Sequence, residues 1–141
     1  MLFRSKWALE NYQPTNSRSQ LLKKDSNSII LDAYNANPSS MQLAIENFNK
    51  IQAKHKVLML GSMAELGVDS LHEHQQIVNL IANCSFQAVV LVGDQFAQVQ
   101  HPYLQFATAK EAADWYQKQN FQHTHFLIKG SRSMKMETIL H

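Results

Sequence analysis

An aspartate, two asparagines and a proline follow one another where an apolar run ends, in Ile29-Ile30-Leu31-Asp32-Ala33-Tyr34-Asn35-Ala36-Asn37-Pro38-Ser39-Ser40-Met41. A carboxylate at a strand end can accept hydrogen bonds from a ribose, so Asp32 is a candidate nucleotide contact. Arg18, Lys129, Arg132 and Lys135 add positive charge if a hairpin brings Arg18 across to the same neighbourhood. Basic side chains beside turn N–H groups and a helix N-terminus suit a phosphorylated or carboxylated ligand. Any single Lys or Arg reads more simply as a solvated surface charge; the clustering is what points to a ligand.

Other chemistry is harder to place. The chain holds no G-x-x-x-x-G-K-[ST] phosphate loop and no G-x-G-x-x-G fingerprint, so it offers no evident cradle for a triphosphate. Gly61-Ser62-Met63 is not a G-x-S-x-G nucleophile elbow, and no Ser-His-Asp set can be assembled. His72-Glu73-His74 falls in the first turn of a predicted helix, where positions i and i+2 point to different sides. His123 and His125 would share a face of a strand, yet no further ligand joins them. Neither pair is read as a metal site. The lone cysteine, Cys84, sits among apolar residues near a helix end and reads as a packed thiol.

The elements that would position these groups follow from hydrophobic periodicity. A short helix over residues 4–12 stops before Pro14, and polar residues 15–20 lead into a strand. Leu21-Leu22-Lys23-Lys24, turning through Asp25-Ser26-Asn27 into Ser28–Leu31, reads as a hairpin. Asn37 can cap a helix with Pro38 at its first position, and Met41, Ala44, Ile45, Phe48 and Ile51 make its buried stripe. Val57–Leu60, Ala88–Val92, Leu104–Ala107 and Phe126–Ile128 read as further strands. Ser70 with Glu73, and Thr108 with Glu111, have capping-box spacing. The first would open a helix buried through Leu71, Ile77, Val78 and Ile81; the second opens one carrying Ala112, Trp115 and Tyr116. A closing helix is predicted over residues 133–140.

Strands apolar on both faces and separated by helices imply a parallel sheet covered on both sides. The expected fold is α/β: a Rossmann-like three-layer αβα sandwich of about six strands, with one antiparallel strand from the N-terminal hairpin. Of the four glycines, Gly61, Gly93 and Gly130 directly follow strands, where they allow a sharp turn or close approach to a ligand. They gather with Asp32, Asn35 and Asn37 at the edge where open α/β sheets bind ligands.

Bulk composition agrees with one globular domain. In 141 residues the apolar share is 45 % and the charged share 17 %, enough to build a core and too little charge for disorder. A net charge of +2 does not argue for a nucleic-acid or membrane partner. No apolar run reaches the ~20 residues of a membrane span, and the start lacks a signal-peptide pattern. With one cysteine there is no internal disulfide, which fits a reducing, cytoplasmic compartment.

The wording of several segments goes further. These are Tyr12-Gln13-Pro14 through Asn16-Ser17-Arg18-Ser19-Gln20, Asp32 to Met41, Leu60-Gly61-Ser62-Met63-Ala64-Glu65-Leu66-Gly67, Glu73-His74, and Lys129-Gly130-Ser131-Arg132-Ser133-Met134-Lys135-Met136-Glu137. Together they resemble, in order and over nearly the whole chain, the C-terminal domain of the Mur ligases. The branch is the one that joins D-alanyl-D-alanine to UDP-N-acetylmuramoyl-tripeptide in peptidoglycan precursor synthesis.

The resemblance implies that residues 1–14 end a linker and short helix, and that 15–141 form the C-terminal domain of a three-domain, monomeric enzyme. It implies ATP and Mg²⁺ as cofactors, an acyl-phosphate intermediate, and a phosphate loop and Mg²⁺ ligands in a central domain outside this chain. An N-terminal UDP-binding domain would complete the enzyme. Arg18 and Asp32 would contact ATP, with Asn35 and Asn37 lining its side of the cleft. Lys129, Ser131 and Arg132 would lie near the substrate peptide or incoming dipeptide. No catalytic residue and no metal ligand are expected here, so the isolated chain should lack ligase activity. Ser62 stands where the family commonly has Asp, and Ser133 where Gly is usual. The alternative is a free-standing α/β module binding a nucleotide or phospho-ligand without chemistry; a receiver-like domain fits less well, since only Asp32 and Asp94 approach its acidic cluster.

Overall fold

The computed structural model describes residues 19–141. The helix expected over residues 4–12 and the candidate Arg18 lie outside that range. Six strands, β1 (Gln20–Lys24), β2 (Asn27–Asp32), β3 (Lys56–Gly61), β4 (Ala88–Val92), β5 (Leu104–Phe106) and β6 (His125–Lys129), form one sheet in the order β1-β2-β6-β3-β4-β5. β1 pairs antiparallel with β2 and every other pairing is parallel. The hairpin turns through Asp25, whose φ of 56° is a left-handed conformation that Asp tolerates better than most residues.

Helices α1 (Pro38–Asn49), α2 (Ser70–Ile81), α3 (Asp94–Ala97) and α4 (Ala109–Gln119) connect the strands. Met41, Ala44, Ile45 and Phe48 of α1 join Ile77, Val78 and Ile81 of α2 and Phe96 of α3 against Ile30, Leu58, Leu60, Leu91 and Leu127. Ala109, Ala112, Ala113 and Tyr116 of α4 pack on the opposite face with Ile29, Leu31, Val57, Val90 and Phe126. Alternate residues of β2, β3, β4 and β6 therefore feed two cores, which is why these strands read as unbroken apolar runs. Crossovers toward β5 run over one face and the return through α4 runs over the other, which keeps one handedness. The return leaves β6 between β2 and β3.

Local chemistry explains the helix starts. Asn37 Oδ1 accepts from the Ser40 amide at 2.9 Å and the Asn37 amide donates in return to the Ser40 hydroxyl at 3.2 Å, with Pro38 at the first turn. Thr108 and Glu111 form the predicted capping box. Ser70 and Glu73 do not. Ser70 is the first residue of α2, and Asp69 before it makes no side-chain cap. A 3-10 turn over Gly67–Asp69 brings the chain into the helix already coiled, so the extended conformation a cap requires is never adopted.

Three further expectations are corrected. Leu71 is 45 % exposed, and His74, three residues on, joins Ile77, Val78 and Ile81 on the buried face of α2 instead. His123 lies before β6 with a φ of 53°, so it shares no strand face with His125. The closing α-helix over 133–140 is replaced by two 3-10 turns, Arg132–Met134 and Met136–Leu140. Between them Lys135 adopts a φ of 52°, which interrupts helical hydrogen bonding. The one-turn α3, seated on the buried Phe96, had no periodic signal long enough to predict it.

Candidate functional site at the carboxyl edge of the sheet

Asp32 and Lys129 end β2 and β6 as direct register partners. The Lys129 ammonium meets the Asp32 carboxylate at 2.7 Å, with side-chain exposures of 0 % and 2 %. Lys129 also donates to the Asn35 carbonyl at 3.0 Å, and the Ser19 hydroxyl donates to the same Asp32 oxygen at 3.2 Å. A buried pair of charges is tolerable when further hydrogen bonds satisfy it, as here. Its effect is to lock the loop after β2 onto the end of β6.

That loop presents Tyr34, Asn35 and Asn37 at the surface while Ala36 is buried beneath them. Asn37 spends its side-chain oxygen on the α1 cap, so the helix N-terminus and the polar loop form one rigid unit. Across from it, Arg132 is exposed and its guanidinium lies 5.2 Å from the centre of the Tyr34 ring. Tyr34 and Arg132 also border a hollow of about 670 Å³ floored by Leu22, Ile29 and Leu31. Ser131 is buried, with its hydroxyl 3.2 Å from that of Ser133.

The glycines at the strand ends serve the protein's own packing. A Cβ on Gly130 would stand 2.7 Å from Met136 Cγ and 3.0 Å from the Gly61 backbone, so the two strand ends approach closely beneath Met136. Gly93 has a φ of 112°, strained for any side chain, and the Ser62 hydroxyl fills the space its Cβ would need.

Ser62 is 2 % exposed; its amide and hydroxyl both donate to the Val92 carbonyl, at 2.9 and 3.2 Å. Its own carbonyl accepts from the Ser131 amide at 3.3 Å. The next amide, Met63, donates to Nε2 of the fully buried His74 at 2.9 Å. Burial holds the His74 pKa below its ordinary value, partly opposed by the Ser70 carbonyl and by Glu73.

Among the sequence candidates, Asp32, Asn35, Asn37, Lys129, Ser131 and Arg132 come together at this edge. Asn35 and Arg132 offer exposed side chains, whereas Asp32, Lys129 and Ser131 are buried. Lys129 thus reaches the edge through Asp32 and Asn35 rather than by presenting its ammonium to solvent. Lys135 is exposed on the left-handed turn. Sequence reasoning did not assign roles to Tyr34, His74 or Met136. The Glu73-His74 segment was visible, but its partner, a main-chain amide, carries no sequence signal. Among the described residues no group of three or more His, Cys, Asp or Glu could hold a metal ion.

Residues 17–132 match the family model described as Mur ligase, glutamate ligase domain. The chain belongs to that family. This Mur ligase domain is 32 % identical over 140 residues to the UDP-N-acetylmuramoyl-tripeptide–D-alanyl-D-alanine ligase of Treponema pallidum, covering 93 % of this chain and 30 % of that protein. It is 29 % identical over 136 residues to the enzyme of the same name from Rickettsia prowazekii, covering 89 % of this chain and 29 % of the relative. A crystal structure of MurF from Acinetobacter baumannii superposes with a TM-score of 0.75 at 33 % identity, over 94 % of this chain and 30 % of that one. The chain therefore spans about a third of the length of the relatives it matches. Among the described residues, no helix is long and apolar enough to cross a membrane.

Proposed function

We propose that this chain is the C-terminal domain of an ATP-dependent ligase that joins D-alanyl-D-alanine to UDP-N-acetylmuramoyl-tripeptide in the cytoplasm. In this reading residues 15–141 are the domain proper, residues 1–14 end the linker before it, and the working enzyme is a monomer. The observation that carries the reading is a ligand edge with one side only. It has a fixed carboxylate, an amide-bearing loop, a helix N-terminus and an exposed arginine, but no phosphate loop. An edge of this kind needs a second surface, and relatives about three times as long have the chain to supply one.

The reaction divides into two transfers. A peptide carboxylate oxygen attacks the terminal phosphorus of ATP and ADP leaves. The amine of D-alanyl-D-alanine then attacks the acyl carbon, phosphate leaves, and the amine proton passes to solvent or phosphate. Among the described residues the donor set does not suit Mg²⁺: Asp32 is engaged by Lys129, and no group of three or more His, Cys, Asp or Glu could hold the ion. Metal binding is therefore assigned to the central domain, and no step here is routed through the ion.

This domain's residues position and enclose. Arg18 and Asp32 serve the nucleotide, with Asn35 and Asn37 beside it; Asp32, buried against Lys129, reaches the ribose side through the loop it fixes. The turn at the buried Ser131 carries the exposed Arg132 toward the peptide substrates, and Lys129 keeps both groups in register. Closing the edge over the central domain would align the amine with the acyl carbon and shelter the acyl phosphate from water. In the domain joined to its two preceding domains, Asp32→Ala and Asn35→Ala should each raise the KM for ATP about ten-fold or more. Wild-type kinetics in both variants would remove the site assignment.

A further inference from the structure

We propose that His74 is a positioning residue, which fixes the Ser62–Met63 peptide plane and through it the substrate-side turn at Ser131. The inference deepens the ligase reading and rests on it for the role of Ser131. Its geometric part stands on this chain alone.

A peptide N–H can only donate and a peptide carbonyl can only accept. The Met63 N–H meets His74 Nε2 at 2.9 Å, and the Ser70 carbonyl meets Nδ1 at 2.7 Å. The ring must therefore be neutral, with its single hydrogen on Nδ1. Phe96 and the imidazole pack T-shaped, with 4.7 Å between centroids and 84° between planes, which restricts the ring orientation.

The N–H gripped by His74 and the carbonyl gripped by Ser131 belong to one planar peptide unit. Rotating that unit breaks both bonds together. The only side chain in this chain of contacts with a switchable acceptor is His74. Ser62 adds two bonds to Val92 on the amino side, so the plane is anchored there independently of the histidine.

A protonated His74 has no acceptor left, so acid should release the Met63 amide and loosen Ser131. Burial opposes that protonation, and Glu73 on the same helix favours it. From α3 the ring meets Phe96, and from the loop it meets the Met63 amide; neither titrates. Glu65 and Asp69 of the loop are exposed, and Glu46 of α1 bears on Cys84 beyond the far end of α2.

Long-range ¹⁵N–¹H spectra of this chain at neutral pH should show an unprotonated Nε2 and a protonated Nδ1 for His74. His74→Phe keeps an aromatic ring beside Phe96 but removes the acceptor. Hydrogen exchange at Met63 and Ser131 should then quicken about ten-fold or more while Val90 is unchanged. His74→Gln, which restores an acceptor, should recover part of the protection. In the wild type, the two amides should lose protection in acid with the same midpoint as the His74 ring shift.

A proton on Nε2 overturns the proposal, and this readout needs no variant. Wild-type exchange at both amides in His74→Phe also overturns it. In the joined ligase, His74→Phe should raise KM for the two peptide substrates more than for ATP. A joined enzyme that makes no product counts against the ligase reading, while the tautomer and exchange results still decide the role of His74.

Discussion

A lysine at a strand end reads, by charge alone, as a group waiting for an anion; Lys129 already has one. The Asp32–Lys129 pair is shut from solvent and braced by Asn35 and Ser19. Removing one partner leaves the other charged and buried, so Lys129→Met should cost about 3–5 kcal/mol in urea denaturation. Asp32→Leu combined with Lys129→Met should cost less than the sum of the single changes. The residue types at this edge were legible in the sequence, and their burial was not. Burial follows from β6 inserting beside β2, 97 residues away, in a register that no local pattern encodes.

His74 gives a second test at this scale. Its folded pKa lies below the ordinary 6.5, so on acidification the unfolded chain takes up the proton first. The stabilisation is complete above about pH 6.5 and is lost as pH falls through the window between that value and the folded one. Thermal unfolding followed over this range should show Tm falling toward acid in the wild type, with a shallower fall in His74→Phe.

At the scale of elements, helix starts separate what is local from what is not. Asn37 and Thr108 enter their helices from extended backbone and cap them, so Asn37→Ala and Thr108→Ala should each lower stability by about 1 kcal/mol. Ser70 has the same capping-box spacing but sits inside its helix, and Ser70→Ala should stay within about 0.5 kcal/mol of wild type. Urea midpoints for the three variants would show the contrast. The strands and two of the predicted caps were readable because periodicity and cap chemistry act over a few residues. The C-terminal segment was not, because a left-handed Lys135 and the seating of Met136 over Gly61 and Gly130 are decided by the neighbouring strand ends. Gly93→Ala should be costly for the same non-local reason, by about 1–3 kcal/mol, since it combines a positive φ with the Ser62 hydroxyl.

Across the whole molecule, the sheet order explains why the site is where it is. The chain lays β3, β4 and β5 to one side of β2, then returns over the other face and sets β6 between β2 and β3. The residues after β2 proposed for the nucleotide and those after β6 proposed for the peptide substrates thereby become neighbours, although they lie far apart in the sequence. The fold class followed from apolar strands alternating with amphipathic helices, and the edge followed from the fold class. The second side proposed for the cleft rests, in the sequence, on the absence of a phosphate motif alone.

The account's central claim is that this edge completes an active site whose other wall lies on a different domain. The most direct test is ADP release with ATP, Mg²⁺ and UDP-N-acetylmuramoyl-tripeptide, comparing this chain alone with the chain joined to the two preceding domains proposed for it. The account predicts no release by the chain alone, and sustained release by the joined protein only when D-alanyl-D-alanine is added. Ligation by the isolated chain, or release by the joined protein that ignores the dipeptide, would contradict it.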